Sequence, residues 1–156
     1  MNAKKFANPT LLRDAGMFIT GPVGVGKTHF ACAVLFEWLA SGHRGIFRPW
    51  SALYSALRDC YVTRTSERAL LEEYVDAEFL VLDDLGAASF SDFEVRMTLH
   101  ILDSRLVQLR PTVVTSHWTL EQIAEKMDAR IASRLAGFQR IEMSGADRRL
   151  EGRDEN

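Results

Sequence analysis

Residues 21–28 constrain the fold of this chain more than any other segment. They read Gly-Pro-Val-Gly-Val-Gly-Lys-Thr, which has the spacing GxxxxGK[ST]. An apolar run at 17–20 precedes them and predicts a buried strand. Apolar residues at the three- and four-residue spacing of a helix follow them as far as Gly42. A strand, a glycine-rich turn and an amphipathic helix in this order predict a loop that surrounds an anion.

The residue types of this loop suit a nucleoside triphosphate. Gly24 and Gly26 allow backbone N–H groups to approach phosphate oxygens closely, and the positive end of the following helix faces the same anion. Lys27 is expected to neutralise the β and γ phosphates, and Thr28 to place its hydroxyl on Mg²⁺. The expected ligand is therefore a nucleoside triphosphate with Mg²⁺. The predicted nucleotide-binding residues are Gly21, Pro22, Val23, Gly24, Val25, Gly26, Lys27, Thr28 and His29.

A second apolar run, at 79–82, ends in the carboxylates Asp83 and Asp84. After a phosphate loop, an acid at the end of a strand typically holds Mg²⁺ through water, so Asp83 and Thr28 are the predicted metal-binding residues. Asp84 is then placed to orient or deprotonate the attacking water. It is one methylene shorter than the glutamate that many ATPases carry there. The pair predicts phosphoryl transfer from a nucleoside triphosphate to water.

Strands alternate with helices along the rest of the chain. Ser91 with Glu94, and Thr119 with Gln122, fit capping boxes that open helices. The near-continuous apolar strands favour an α/β domain with a mostly parallel sheet. Further strands are predicted at 45–48, 78–83, 111–116 and 140–143, and further helices at 51–61, 66–75, 91–109, from 119, and at 128–135.

Composition excludes several other classes of protein. The 156 residues are 47% hydrophobic and 26% charged, as in one globular domain, and the net charge of −2 leaves any DNA contact to a local patch. No apolar run has the length of a membrane span or a signal peptide, so a cytoplasmic protein with no membrane partner is expected. Cys32 and Cys60 are expected to be buried free thiols. The ATP-binding domain is expected at 16–147, between an irregular lead-in at 1–15 and a solvated tail at 148–156.

The sequence resembles the helicase-loader and transposition-helper branch of AAA+ ATPases, the DnaC/IstB type. The resemblance covers about residues 15–150 and implies a P-loop NTPase with a five-stranded parallel sheet, in which the P-loop strand and the acidic strand are adjacent. The C-terminal helical lid is expected to be reduced or absent. It also implies ATP hydrolysis in DNA replication or transposition, with loading or remodelling of a replicative helicase or a transposase. The matching segments are GPVGVGKTHFACAV, EFLVLDDLGAASFSDFE, RPTVVTSHWTLEQI, RIASRL and SGADRRL.

The same resemblance implies a sensor residue at the end of the fourth strand. Family members usually have asparagine where this chain has His117, and asparagine occurs here only at positions 2, 8 and 156. Ser116 or His117 is therefore expected to contact the γ-phosphate or the attacking water, unless the sensor is lost.

Arginines near the C-terminus match two further positions of the family. Arg134, with Arg130 as the second choice, is expected to reach the ATP of a neighbouring subunit and so implies self-association. Such a residue contributes a factor of about 10³ to 10⁵ in rate. Arg149 resembles an arginine that reaches the γ-phosphate of its own chain, and Arg148 is equally near.

Residues 51–75 resemble an insertion that related replication initiators use against single-stranded DNA. Their arginines would bind phosphates and their tyrosines would stack on bases, although acidic residues are interspersed. Trp38 and Trp50 are expected in the core. The candidate DNA-binding residues are Arg58, Arg64, Arg68, Tyr54 and Tyr61.

Three other functions are compatible with a phosphate-binding loop to different degrees. An ATP-binding adaptor with little hydrolysis is the main alternative, because Asp84 is short and the asparagine sensor is absent. A small-molecule P-loop kinase would need an acceptor pocket and an arginine-rich lid, which no insertion offers. A GTPase would need an NKxD motif, which the positions of the asparagines exclude.

Overall fold

The computed structural model describes residues 16–86 and 91–147. The expected lead-in, the tail and Arg149 lie outside these residues. The strands are β1 (Met17–Thr20), β2 (Ile46–Pro49), β3 (Leu80–Leu85), β4 (Thr112–Ser116) and β5 (Gln139–Glu142). The helices are α1 (Lys27–Ala40), α2 (Trp50–Thr63), α3 (Glu67–Asp76), α4 (Asp92–Val107), α5 (Leu120–Lys126) and α6 (Ala129–Ala136).

All five strands form one parallel sheet in the order β2-β3-β4-β1-β5. This confirms the predicted α/β sheet but corrects one detail of the expectation. The P-loop strand β1 is not adjacent to the acidic strand β3, because β4 lies between them and pairs with both. The P-loop and the first turn of α1 must therefore cross the end of β4 to reach β3.

Helices cover both faces of the sheet, since neighbouring strand residues point to opposite sides. On one face, α1 packs its apolar stripe on side chains that include Ile19 and Val81. On the other face, the remaining helices pack on side chains that include Phe18 and Leu82. Trp38 and Trp50 are buried on opposite faces, as expected for core residues.

Both predicted capping boxes are present. The Ser91 side chain accepts from the Glu94 backbone N–H and opens α4, and Thr119 with Gln122 opens α5 in the same way. The acidic strand, in contrast, was placed too early along the chain. It runs through both carboxylates as far as Leu85 rather than ending at residue 83.

A buried arginine ties α3 to the start of β4, and the sequence analysis did not anticipate it. Arg105 on α4 is 1% exposed. Burial lowers the pKa of its guanidinium to about 9, so the group stays charged at neutral pH. The guanidinium donates to the carbonyls of Tyr74, Val75, Ala77 and Pro111 and to the hydroxyl of Thr112.

Among the residues that the structure describes, no helix has both the length and the apolar character to cross a membrane.

Candidate nucleotide-binding site

The loop between β1 and α1 borders a cleft and contains glycines in the left-handed conformation. Gly24 and Gly26 have φ angles of 81° and 96°, in the left-handed region that glycine adopts without a steric penalty. No side chain caps the N-terminus of α1, and its first turn contains no acidic residue. The first N–H groups of this helix are thus available to an anion from outside it.

Lys27 is held against the same loop. Its Nζ donates to the carbonyl oxygens of Gly21 and Pro22, at 2.7 Å each, and the residue is buried. The ammonium group therefore lies at the loop that would surround the phosphates, and contributes a positive charge there.

Thr28 and Asp83 meet across the end of β4. The Thr28 hydroxyl lies 3.0 Å from each carboxylate oxygen of Asp83. Within residues 16–86 and 91–147, no group of three or more His, Cys, Asp or Glu side chains could hold a metal. Two protein oxygen donors facing a triphosphate are nevertheless the usual arrangement for Mg²⁺, which takes its remaining ligands from phosphate and water.

Asp84 points into the cleft because the strand is irregular at this residue. Its φ angle is 61°, which is uncommon for a residue with a side chain, and its side chain is 55% exposed. The Asp84 carboxylate lies 3.5 Å from Nδ1 of His117. The structure thus brings together Asp84 and His117, two residues that the sequence analysis assigned to catalysis.

Ser116 lies away from the cleft, unlike His117. Its hydroxyl donates to the Leu85 carbonyl at 2.5 Å and accepts from the Trp118 N–H at 3.0 Å. The side chain is fully buried and both of its hydrogen-bonding roles are taken. Of the two sensor candidates, His117 is the one that a nucleotide could reach.

The glycine-rich loop, Asp83, Asp84 and His117 line one cleft of about 960 Å³. This volume is within the range of small-molecule sites. Val25 is not among the residues that line the cleft, and its side chain is buried in the core. The residues that line the cleft are Val23, Gly24, Gly26, Lys27, Thr28, His29, Cys32, Asp83, Asp84, Thr115 and His117.

Cys32 and Thr115 belong to this cleft, but the sequence analysis gave neither a role there. Cys32 is exposed, so the expectation of two buried thiols is correct only for Cys60. The position of Cys32 in the cleft could be predicted from the sequence, because Cys32 is one helical turn after Thr28 on the same face of α1. Partial burial, together with the negative charge of Asp83, raises the pKa of the Cys32 thiol above its ordinary value.

The C-terminal end of the described chain returns to the P-loop. A Cβ added at Gly24 would lie 1.8 Å from Oδ1 of Asp147, so the Asp147 carboxylate is packed directly on this glycine. The close approach of the Asp147 carboxylate is therefore a second reason for glycine at position 24, in addition to its positive φ angle. Sequence reasoning singled out the neighbouring Arg149 and overlooked Asp147.

The two candidates for an arginine that acts on a neighbouring subunit both have partners within their own chain. Arg134 on α6 donates from Nε to Oδ1 of Asp103 on α4 at 2.5 Å. Arg130 pairs with Asp128, with Nη2 2.9 Å from Oδ2. Neither arginine is among the described residues that line the cleft of its own chain.

The 51–75 segment forms two helices as predicted, but it differs from the expected DNA-binding face. Tyr54 cannot stack on bases, because it is buried against Trp50 and its hydroxyl is 2.6 Å from that of Thr98. The exposed Arg58 pairs with the buried Glu94, and Arg68 pairs with Glu72 on the surface.

The parallel sheet, the glycine-rich loop and the carboxylate at the end of β3 define a P-loop nucleotide-binding domain of the AAA+ type. Comparison with known proteins identifies its family. The chain belongs to the IstB-like ATP binding protein family, whose model matches residues 8–141. The resemblance to DnaC/IstB proteins that the motifs indicated is thereby confirmed.

Individual relatives agree with this assignment. The replicative helicase loader DnaC of Escherichia coli (strain K12) is 28% identical over 122 residues, which are 78% of this chain and 50% of that protein. A crystal structure of the DnaC helicase loader superposes with a TM-score of 0.80 at 24% identity, covering 91% of this chain and 86% of the other. AMPPCP-bound DnaA from Aquifex aeolicus gives 0.80 at 23% identity, covering 90% and 44%. The chain thus spans about half the length of the curated DnaC that it matches.

Proposed function

We propose that this chain binds ATP with Mg²⁺ in the cleft described above and hydrolyses it to ADP and phosphate. The contact between Thr28 and Asp83 carries the proposal, because it joins the P-loop helix to the acidic strand across the end of β4. A hydroxyl and a carboxylate are oxygen donors of the kind that Mg²⁺ prefers. They lie beside a loop whose backbone N–H groups and lysine suit phosphate.

Each polar side chain of the cleft has a role in the proposed reaction. The loop N–H groups and Lys27 would bind and neutralise the phosphates. Thr28 and Asp83 would hold Mg²⁺, which when bound offsets negative charge on phosphate oxygens. Asp84 would orient the attacking water and accept its proton, and His117 beside it would sense the γ-phosphate or that water.

A specific observation favours a second candidate, an ATP-binding adaptor with little hydrolysis. The short Asp84 side chain lies within 3.5 Å of the His117 ring, which can hold the carboxylate away from a water. In this alternative, ATP binding rather than its cleavage would set the state of the protein.

The process that we propose is DNA replication or transposition. The E. coli relative is a replicative helicase loader, and the family takes its name from IstB. For this chain the proposed partners are a replicative helicase or a transposase, together with further copies of itself in which Arg134 reaches a neighbour's ATP. Single-stranded DNA would bind along 51–75 through exposed arginines such as Arg58 and Arg64, since Tyr54 is buried.

Phosphate release measured with MgATP, with and without single-stranded DNA, tests these proposals. We expect weak turnover by the chain alone, stimulation by DNA, and loss of turnover when EDTA removes the metal. Asp84→Asn should lower turnover about 100-fold or more and leave ATP affinity within a few-fold of wild type. Tight ATP binding without turnover in the wild type would favour the adaptor.

A further inference from the structure

The two carboxylates of β3 lie opposite a single residue of β4. Leu82 pairs with Val114 and Leu85 pairs with Ser116, so Asp83 and Asp84 together face Thr115. Two residues opposite one define a β-bulge. Without the bulge, strict alternation would direct Asp84 to the face opposite Asp83. The bulge therefore allows both acids to reach the same cleft.

Core packing independently shows this break in alternation. Leu82 and Leu85 are three residues apart, yet both pack in the same core cluster on the face away from α1. An unbroken strand would direct residues 82 and 85 to opposite faces. The irregularity thus lies between them, at the two carboxylates.

The Thr115 side chain holds this bulge from inside the sheet. Its hydroxyl accepts from the Asp84 backbone N–H at 2.8 Å and donates to Oδ1 of Asp83 at 2.7 Å. The direction of these bonds is determined, because an amide N–H can only donate and the hydroxyl has one hydrogen. Thr115 is 1% exposed, so both bonds are shielded from water.

We infer that Thr115 is a positioning residue for both acids of the site, an inference that rests on the proposed ATP and Mg²⁺ binding. For Asp83, the Thr115 hydroxyl holds Oδ1 and so fixes the orientation of a carboxylate whose two oxygens both lie 3.0 Å from the Thr28 hydroxyl. If the Thr28 hydroxyl bound a metal ion instead of Asp83, the hydrogen bond from Thr115 to Asp83 would still hold that carboxylate. For Asp84, the backbone bond stabilises the left-handed conformation that directs the side chain into the cleft.

Thr115→Val removes the hydroxyl and keeps the branched shape, whereas Thr115→Ser keeps the hydroxyl. We expect Thr115→Val to lower kcat about tenfold to a hundredfold, the usual effect of losing a hydrogen bond to a charged group. ATP affinity in EDTA should stay within about threefold of wild type. The gain in affinity that Mg²⁺ confers should fall about tenfold. Thr115→Ser should restore both quantities to within a few-fold of wild type.

Thr98→Val is the matched control for a merely structural effect. Thr98 is another fully buried threonine, and it bonds Tyr54 and the Glu94 carbonyl, which are absent from the residues that line the cleft. Loss of the Thr98 hydroxyl should lower the melting temperature without changing the effect of Mg²⁺ on ATP affinity.

The inference is overturned if folded Thr115→Val retains wild-type kcat and Mg²⁺ dependence, or if Thr115→Ser is as impaired as Thr115→Val. A wild-type chain that binds ATP without hydrolysing it still permits the comparison of affinities with and without Mg²⁺. A wild-type chain that binds no ATP refutes the proposed function itself, and this inference with it.

Discussion

The Thr28 hydroxyl lies 3.0 Å from each oxygen of the Asp83 carboxylate. Thr28 is in the first turn of α1, which follows β1, and β4 lies between β1 and the strand that carries Asp83. The contact requires the P-loop to extend over the end of the sheet. It therefore defines the position of the loop relative to the acidic strand, and a triphosphate bound by the loop would lie next to the carboxylates.

The first prediction concerns Lys27. Its ammonium is held by two loop carbonyls beside the expected phosphate site, so Lys27→Ala removes a positive charge without removing any backbone donor. We expect ATP affinity to fall about 100-fold, as when a charged hydrogen-bonding partner is lost. Isothermal titration calorimetry measures this change. Lys126→Ala, at an exposed lysine of α5, is the control and should bind as wild type.

Unchanged affinity in a folded Lys27→Ala protein would contradict the assignment of residues 21–28 to phosphate. Circular dichroism distinguishes this outcome from unfolding.

The second prediction uses the two cysteines as reporters of the cleft. Cys32 is exposed and lines the cleft, while Cys60 is buried. N-ethylmaleimide should therefore modify Cys32 first, and saturating MgATP should slow that reaction at least about tenfold by covering the thiol. Peptide mass spectrometry follows each cysteine separately, and Cys32→Ser serves as the control. Equal rates with and without nucleotide would place ATP elsewhere.

The pH dependence of the same reaction has a defined sign. Partial burial and the nearby Asp83 carboxylate both disfavour the Cys32 thiolate, which raises the pKa of the thiol. Because the thiolate is the reactive form, the rate should continue to rise with pH beyond 9, the ordinary value for this group. Asp83→Asn removes one of the two causes and should shift this rise to lower pH. A plateau below pH 9 would argue against the position of Cys32 beside Asp83.

Local patterns predicted much of this fold. Each of these features, the glycine-rich loop, the apolar strands and the capping boxes, depends on residues that are close together in the sequence. They could therefore be predicted from the sequence. The strand order could not, because which strands pair depends on packing across the whole domain. The bulge at Asp83 and Asp84 also leaves no trace in an apolar run that ends in two acids.

The burial of some side chains could be predicted from the helical spacing of apolar residues. Trp50, Leu53, Tyr54 and Leu57 recur at three- and four-residue intervals and form one buried stripe of α2. The prediction of Tyr54 as a base-stacking residue was therefore wrong, although the same spacing would have placed it in the core. The burial of Arg105 had no such indication, because its partners are mainly backbone carbonyls contributed by other elements.

The third prediction concerns stability. Arg105→Met removes the guanidinium that donates to the carbonyls of Tyr74, Val75, Ala77 and Pro111. We therefore expect the free energy of unfolding to fall by about 3–5 kcal/mol. Arg105→Lys keeps the positive charge but loses the planar guanidinium with its several donors. The free energy of unfolding of this variant should lie between those of wild type and Arg105→Met. Denaturant titration measures both changes. Arg68→Met is the control, since Arg68 is exposed and its ion pair, with Glu72, lies within α3. A loss no larger than that of Arg68→Met would contradict the role of Arg105 as a link between α3 and β4.

The fourth prediction tests Arg134 as a residue that acts on a neighbour. Its pair with Asp103 lies at the surface, with both side chains partly exposed, so the pair contributes little and can be exchanged for a stronger anion. Arg134→Ala should bind ATP as wild type does, yet lose the rise in turnover per chain that accompanies increasing protein concentration. A dilution series of phosphate release measures this dependence.

Mixing two inactive variants separates this role from a structural one. Lys27→Ala binds ATP about 100-fold more weakly than wild type but still presents Arg134, whereas Arg134→Ala binds ATP but presents no arginine. If Arg134 completes a neighbour's site, the mixture should regain part of the turnover that each variant lacks alone, because some sites then combine an intact P-loop with an intact arginine. If Arg134 serves only to hold α6 on α4, the mixture should show no gain. In that case Asp103→Ala and Arg134→Ala should lower the melting temperature equally and leave turnover per folded chain unchanged.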